Sequence, residues 1–217
     1  MKKITLIGAS GFIGSAILQE SLDRGHLVTA IVRHPEKIKI NHPNLKIVSG
    51  DILISDSINE IIAGSDVVIS SYNPGWNNPS IASETTAAYK NIINSVIKAK
   101  IPRILIVGGA GSLFVSPGKR LMDTDVFPKS FIPAVTALAN VYYELLKSNT
   151  TFEWAFFSPA GNIIHGERTG NFQIGKDNLI TNNKGESKIS VEDYALAMID
   201  EVENPQNHNS RFTIGYK

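Results

Sequence analysis

Residues 2–14 run Lys2-Lys3-Ile4-Thr5-Leu6-Ile7-Gly8-Ala9-Ser10-Gly11-Phe12-Ile13-Gly14. A short apolar strand pattern ends at Ile7, a turn with three glycines follows, and a helical pattern begins at once. Four apolar residues share one face of that helix: Ile13, Ile17, Leu18 and Leu22. The order of strand, glycine turn and helix predicts an α/β fold that opens with a nucleotide-binding unit.

The glycine turn has the form of a site for the pyrophosphate of a dinucleotide. One glycine permits the tight turn, the second lets the backbone approach the phosphates, and the third lets the helix pack on the strand. The first helical turn then directs free N–H groups and its positive dipole end at the anion. We therefore expect six residues of this turn to bind the cofactor: Gly8, Ser10, Gly11, Phe12, Ile13 and Gly14.

The amino-acid composition limits the kinds of protein, and the kinds of binding partner, that the sequence predicts. The chain has 217 residues, 42% of them apolar, with a net charge of +1 and no cysteine. That length fits one NAD(P)-binding domain over residues 1–217, and the near-neutral charge gives no reason to expect nucleic acid as a partner. The absence of cysteine excludes thiolate catalysis and iron–sulfur clusters, and the five dispersed histidines do not predict a metal site.

No run of apolar residues is long enough to span a membrane, and the apolar run after Lys3 stops at Gly8, too early for a signal peptide. We therefore predict a cytoplasmic protein with no membrane partner.

Strand and helix patterns alternate along the chain, which predicts a Rossmann-type, doubly wound, mainly parallel sheet flanked by helices. The predicted strands are Ile4–Ile7, Val28–Val32, Lys46–Ser49, Asp66–Ser70, Ile104–Val107, Glu153–Phe157 and Arg211–Ile214. The predicted helices are Phe12–Asp23, Ser57–Ala63, Ser80–Ala99, Phe131–Ser148 and Val191–Glu203, the last with Ser190 as N-cap and Asp193 completing a variant capping box. Residues 110–133 and 159–189 lack a regular pattern, and we expect both to form substrate-side walls in a small C-terminal subregion.

Ligands of such sheets bind beyond the carboxyl ends of the strands. After the second strand, the position at which NAD-selective proteins carry an acid holds Arg33, which favours NADP(H) over NAD(H) because a guanidinium can bind a 2′-phosphate. An ordinary solvated Arg33 is the alternative. Asp51 and Ile52 follow the third strand, where we expect contacts to adenine, although Asp51 can equally cap the turn.

Small residues follow the fourth and fifth strands, where the cofactor backbone would pass. We expect Ser70, Ser71, Gly108 and Gly109 to contact the cofactor, and Tyr72 and Trp76 to contact a flat substrate by stacking. Ser112 is the one nearby hydroxyl that we expect to donate a hydrogen bond to substrate, with a turn cap as its alternative.

Several segments together resemble the atypical short-chain dehydrogenase/reductases, and more narrowly their NmrA-like, NAD(P)H-binding branch of NADH-flavin reductases and biliverdin-reductase-like proteins. The matching segments are Gly8–Gly14, Arg33, Gly50-Asp51, Gly108–Ser112, Ser158–Gly161 and Ile189–Ala195. The resemblance implies an NAD(P)H-dependent oxidoreductase, and it adds Pro159 to the expected cofactor contacts.

The larger superfamily uses a Tyr-x-x-x-Lys pair for proton transfer, and Tyr143 and Lys147 have that spacing. The pair lies near the end of its helix, about two turns later than in relatives, which displaces the side chains by about 11 Å. We therefore interpret it as a coincidental match.

Without that pair, we expect hydride transfer to a flavin or a similar conjugated molecule, because such an acceptor takes its second proton from water. Two alternatives stay open: an NADP(H)-sensing protein without turnover, and an enzyme like the sugar-nucleotide epimerases or dehydratases. The sequence is compatible with a monomer or a homodimer.

Overall fold

The computed structural model describes residues 1–54 and 58–217. Its strands are β1 (Lys3–Ile7), β2 (Leu27–Val32), β3 (Leu45–Ser49), β4 (Val67–Ser70), β5 (Arg103–Val107), β6 (Phe114–Ser116), β7 (Lys119–Arg120), β8 (Glu153–Ser158), β9 (Asn162–Ile164), β10 (Gln173–Gly175), β11 (Lys188–Ser190) and β12 (Ser210–Gly215). Its helices are α1 (Phe12–Asp23), α2 (Asn59–Ile62), α3 (Ile81–Lys98), α4 (Ile132–Asn140) and α5 (Val191–Glu203).

Eight strands form one sheet in the order β10-β12-β8-β5-β4-β1-β2-β3. Its neighbouring strands are parallel except for β10 and β12, which are antiparallel. The chain moves outward in one direction from β1 to β3 and in the other from β4 to β12, so the strand order reverses between β1 and β4. The predicted Rossmann-type fold is confirmed, and the reversal marks the edge at which such sheets bind ligands.

Two apolar cores cover the two faces of the sheet. On one face α1 and α5 pack on the sheet around Leu18, Phe157 and Tyr194. On the other face α3 and α4 pack around Tyr89 and Trp154. Because both faces are covered, the central strands are apolar throughout rather than alternating, as the sequence pattern indicated.

The helix predicted over Phe131–Ser148 is divided. A 3-10 turn covers Lys129–Phe131, α4 ends at Asn140, and Val141–Leu146 form a π-helix in which the Lys147 N–H donates to the Tyr142 carbonyl at 3.0 Å. The helix predicted from Ser57 begins at Asn59 in the structure, and Ser57 itself lies outside the described residues. The two segments predicted to lack regular structure, residues 110–133 and 159–189, contain short strands. In the first β6 pairs with β7, and in the second β9 pairs with β11.

Across residues 1–54 and 58–217, no helix combines the length and apolarity needed to cross a bilayer.

Candidate nucleotide and substrate cleft

A cleft of about 570 Å³ lies at the carboxyl ends of the central strands, beside the point where strand order reverses. Its walls come from the glycine turn, the segments after β2, β4 and β5, one face of α4, and residues 159–163. The size is typical of a small-molecule site, and the position is the one at which doubly wound sheets bind their ligands.

The glycine turn is closed so tightly that side chains are excluded. Gly8 has φ +83°, and its carbonyl oxygen accepts a hydrogen bond from the Gly11 N–H at 3.0 Å. A Cβ at Gly14 would lie only 2.1 Å from that same oxygen. The glycines at positions 8 and 14 are therefore required for α1 to begin directly against the end of β1.

The start of α1 offers free backbone donors to the cleft. The N-cap is Gly11, which has no capping side chain, and the N–H groups of Phe12 and Ile13 have no acceptor among the described residues. Gly8, Ser10, Gly11, Phe12 and Ile13 line the cleft, as expected, while Gly14 lies buried behind the turn. Uncapped N–H groups at a helix N-terminus suit an anion, so these residues fit a pyrophosphate.

One end of the cleft is cationic. Arg33 and Lys37, both exposed, line it together with His34. Glu36, the one acid in this turn, lies 3.2 Å from His34. No ion pair involves the Arg33 guanidinium within the part of the chain that the structure describes, which leaves it available to a ligand phosphate.

Of the two residues after the third strand that were predicted to contact adenine, one lines the cleft and the other does not. Ile52 is buried and lines the cleft. Asp51 does not line it, and its Oδ1 accepts a hydrogen bond from the Leu53 N–H at 3.0 Å. This contact is the turn cap that the sequence left open as the alternative.

The two serines after β4 have different surroundings. Ser70 is fully buried, with its hydroxyl 3.5 Å from the Tyr89 hydroxyl, and does not line the cleft. Ser71 lines the cleft, and its hydroxyl donates to the Ile7 and Gly8 carbonyls at 3.0 and 3.2 Å. Ser71 thus ties the end of β4 to the glycine turn.

Tyr72 presents an unpartnered hydroxyl. The ring lines the cleft, and within the described residues the buried hydroxyl has no hydrogen-bond partner. Burial raises the pKa of Tyr72 to about 12, with Arg33, Asp51 and Glu84 as its charged neighbours. The phenol is therefore protonated at neutral pH and lies toward the cationic end of the cleft, where it can hydrogen-bond to a ligand.

Trp76 lies at the exposed rim of the cleft. It lines the cleft, is 54% exposed, and packs against Phe131 with ring centroids 5.2 Å apart. This contact joins the loop after β4 to the segment that leads into α4.

Beyond the second glycine cluster the cleft becomes apolar. Gly108, Gly109 and Pro159 line it, and a Cβ at Gly108 would lie 2.4 Å from the Phe156 ring. The face of α4 that reaches the cleft consists of Ala134, Val135, Leu138 and Ala139. Three of these four residues lie within 135–140, where the family resemblance would place a proton-transferring pair.

Tyr143 and Lys147 lie away from the cleft, as the helix geometry predicted. Neither residue lines it. Tyr143 is half-buried near Arg120, and the Lys147 side chain is exposed.

Ser112 lines the cleft but is only 2% exposed. Arg211 is hydrogen-bonded to it on the side away from the solvent. The Arg211 Nη1 donates to the Ser112 carbonyl at 2.8 Å and to its hydroxyl oxygen at 3.0 Å. The Arg211 Nε donates to Asp177 at 2.9 Å, and its guanidinium lies 4.7 Å from the Tyr142 ring centroid. Arg211 is not among the site residues predicted from the sequence, although a charged residue inside an apolar strand pattern is a signal for such a role.

In the described ranges, no group of three or more acidic and histidine side chains is arranged to hold a metal ion.

Comparison with known proteins assigns the family. A model of the NAD(P)H-binding family matches residues 8–205. The chain belongs to this family. The resemblance to the atypical short-chain dehydrogenase/reductases is therefore confirmed, and the glycine turn falls at the start of the matched region.

Three similar proteins match this chain over nearly their full lengths. The uncharacterised protein YwnB of Bacillus subtilis strain 168 is 40% identical over 98% of this chain and 97% of its own. A protein from Bacteroides thetaiotaomicron, provisionally named an epimerase, is 52% identical with a TM-score of 0.94, covering 99% of this chain and 97% of that one. A protein from Streptococcus pneumoniae TIGR4, provisionally named an NADH-flavin reductase, is 33% identical with a TM-score of 0.85, covering 100% of both chains.

Proposed function

We propose that this chain is an NADPH-dependent oxidoreductase that transfers hydride to a flavin or a similar flat, conjugated small molecule. The observation that carries the proposal is the division of one cleft into an anion-binding end and an apolar end. The uncapped start of α1 and Arg33 suit the phosphates of the cofactor, whereas Val135 and Leu138 suit a flat apolar ring. The provisional name of the Streptococcus pneumoniae relative supports the same reading.

The preference for NADPH rests on the residues after β2. A ribose 2′-hydroxyl is usually held by an acid at this strand end, while a 2′-phosphate needs cations. Here Arg33 and Lys37 line the cleft, and Glu36 lies beside His34 instead.

The residues of this chain contribute position rather than acid–base chemistry. The glycine turn and Ser71 fix the phosphate end, and Gly108, Gly109 and Pro159 leave room for the nicotinamide end. When bound there, NADPH would supply the hydride, and the acceptor would take its one further proton from water. Alignment of the two rings in a dry pocket is then the principal contribution to the rate.

Epimerase chemistry, suggested by the provisional name of the Bacteroides thetaiotaomicron relative, has less support in this cleft. It requires a tyrosine and lysine that take the proton from a sugar hydroxyl while the carbon gives up hydride. Tyr143 and Lys147 lie outside the cleft wall, and α4 presents alanine, valine and leucine there.

Calorimetry with NADPH and NADH tests the proposal. We expect the purified chain to bind NADPH more tightly, and Arg33→Ala to weaken NADPH binding by about ten- to a hundredfold with little change for NADH, because a charge-assisted contact of about 1.5–3 kcal/mol is lost. Lys39→Ala is the matched control, since Lys39 is also exposed in this turn but does not line the cleft.

Turnover is then followed as loss of NADPH absorbance with flavins and quinones as acceptors. Failure to bind either nucleotide would contradict the whole proposal. Tight NADPH binding without turnover of any acceptor would support the sensing alternative instead.

A further inference from the structure

The substrate half of the cleft carries no charged side chain among the described residues. We define this half by Trp76, Ser112, Phe127, Ala134, Val135 and Leu138, all of which line the cleft. Among the described residues, the basic side chains that line the cleft are Arg33, His34 and Lys37, all of which follow β2 at the opposite end, and the phenol of Tyr72 lies toward that same end.

Arg211 is bonded to Ser112 of this half, but its own side chain does not line the cleft. The Arg211 side chain is 1% exposed, and its three nitrogens donate to Asp177 and Ser112. The ring of Tyr142 covers its guanidinium at 4.7 Å. Arg211 therefore cannot move to meet an anionic group without breaking its ion pair with Asp177, in which the guanidinium is buried and the carboxylate is half-exposed.

An anionic substrate group would consequently lose hydration in this half and gain no partner. Burying a charge is unfavourable unless an opposite charge or several donors compensate for it. A neutral ring loses nothing comparable, and the aromatic and aliphatic side chains here gain contact with it.

Ser112 supplies the one hydroxyl group among the six residues that define this half. Its hydroxyl oxygen accepts from the positively charged Arg211, so its own proton is left to donate elsewhere. A carbonyl oxygen on a flat conjugated ring is the natural acceptor for such a donor.

We propose that the acceptor is an uncharged, flat, conjugated carbonyl compound, namely a quinone or a flavin without phosphate, and that phosphorylated flavins are poor substrates. This inference rests on the proposed function and narrows it to one class of substrate. The reaction consumes one NADPH and one proton from water and yields NADP⁺ and the acceptor reduced by two electrons.

Matched pairs of acceptors test this inference at saturating NADPH. Riboflavin and FMN share one ring system and differ by the phosphate, while 1,4-naphthoquinone and its 2-sulfonate differ by one anionic group. We expect kcat/KM to be at least about tenfold higher for the neutral member of each accepted pair, after subtraction of the non-enzymatic rate. Equal values, or a preference for FMN or the sulfonate, would overturn the inference while leaving the proposed function intact.

If NADPH binds and no acceptor in either pair is turned over, the proposed function fails and this inference fails with it. The two failures are distinct, because loss of discrimination requires measurable turnover.

A charge-gain variant tests whether the wall itself causes the discrimination. Phe127→Arg places a cation in the half-buried wall, and we expect the riboflavin-to-FMN ratio to fall by at least about fivefold through Coulomb attraction. Val126→Arg is the control, because Val126 is 61% exposed next to Phe127 but does not line the cleft. Unchanged NADPH affinity verifies folding of both variants. An equal fall in both variants, or no fall in Phe127→Arg, would contradict the assignment of this wall.

Discussion

Gly14 has the most restricted environment in the glycine turn, although it does not touch the cleft. A Cβ there would lie 2.1 Å from the Gly8 carbonyl oxygen and 2.6 Å from the Ser71 hydroxyl. The hydrogen bonds from Ser71 to the Ile7 and Gly8 carbonyls hold those atoms in place. The third glycine is therefore needed for packing of the helix on the strand, which is the role that its spacing predicts.

Gly14→Ala should accordingly displace the start of α1. We expect unfolding free energy to fall by about 1–3 kcal/mol, as for overpacked core sites, and NADPH binding to weaken by at least about tenfold. Urea titration and calorimetry measure the two effects. Ser15→Ala on the exposed side of the same helix should change neither appreciably, since its hydroxyl bonds only to the Phe12 carbonyl. Normal NADPH binding by Gly14→Ala would contradict this account.

At the scale of elements, the end of α4 explains why a motif match can mislead. Tyr143 and Lys147 have the expected spacing, but they belong to the π-helical segment and its end, beyond the part of α4 that reaches the cleft. The side chains that do reach the cleft come from residues 134–139, at least four positions before Tyr143. Helix position, rather than residue spacing, therefore determines which groups can meet a substrate.

Tyr143→Phe should leave kcat and KM unchanged within about twofold for any acceptor that the chain reduces, because Tyr143 does not line the cleft. We expect a change in stability of about 1 kcal/mol or less, because the side chain is only half-buried. Steady-state kinetics together with thermal unfolding check this expectation. A fall of a hundredfold in kcat would instead restore the tyrosine as a proton donor.

The start of α5 shows a cap that the sequence predicted in part. The Ser190 hydroxyl accepts the Asp193 N–H at 3.0 Å, so the N-cap is confirmed. The capping-box interpretation is wrong in its second half, because the Asp193 carboxylate does not return to the Ser190 N–H. It accepts from Thr169, Gly170 and Tyr216 instead, and so fastens the 159–189 segment to the helix.

At the scale of the whole molecule, ion pairs connect the two flanking helices to that same segment. Glu20 of α1 accepts hydrogen bonds from Arg24 and Arg168, and Arg24 also bonds to Asp200 of α5. The hydrogen bond from Arg168 is the main reason that the pKa of Glu20 lies below its usual value. Its contribution to stability is therefore present at neutral pH and is lost only in acid.

As the pH is lowered, a buried histidine reduces the stability of the fold at a higher pH than Glu20 does. His26 is 1% exposed, and its Nδ1 accepts the Lys2 N–H at 3.1 Å. Burial lowers the pKa of His26 below 6.5, against the opposing influence of Glu203, while Arg24 and the amino terminus add to the lowering. The unfolded chain therefore takes up this proton first, so stability is complete above about pH 6.5 and falls as the pH drops toward the folded-state pKa.

We expect the urea midpoint to be constant above about pH 7.5 and to decline between about pH 6.5 and pH 5. His26→Asn, which keeps an acceptor for the Lys2 N–H, should start less stable but decline less over this range. His165→Asn is the matched control, because His165 is 79% exposed, and it should decline like the unaltered chain. An equal decline in His26→Asn would exclude His26 as the cause.

Local patterns were sufficient to predict the seven parallel strands of the main sheet, the glycine turn and the edge of the sheet at which the cleft lies, but not the short strands β6, β7, β9 and β11. Backbone sterics and side-chain periodicity act over a few residues, and β1, its turn and α1 are contiguous in sequence. The uncharged half of the cleft was not predictable in this way. Arg211 reaches Ser112 across 99 positions of the chain, and α4 turns its apolar face inward only when packed against the sheet. Such contacts depend on which distant side chains the packing brings together, and sequence spacing alone does not contain that information.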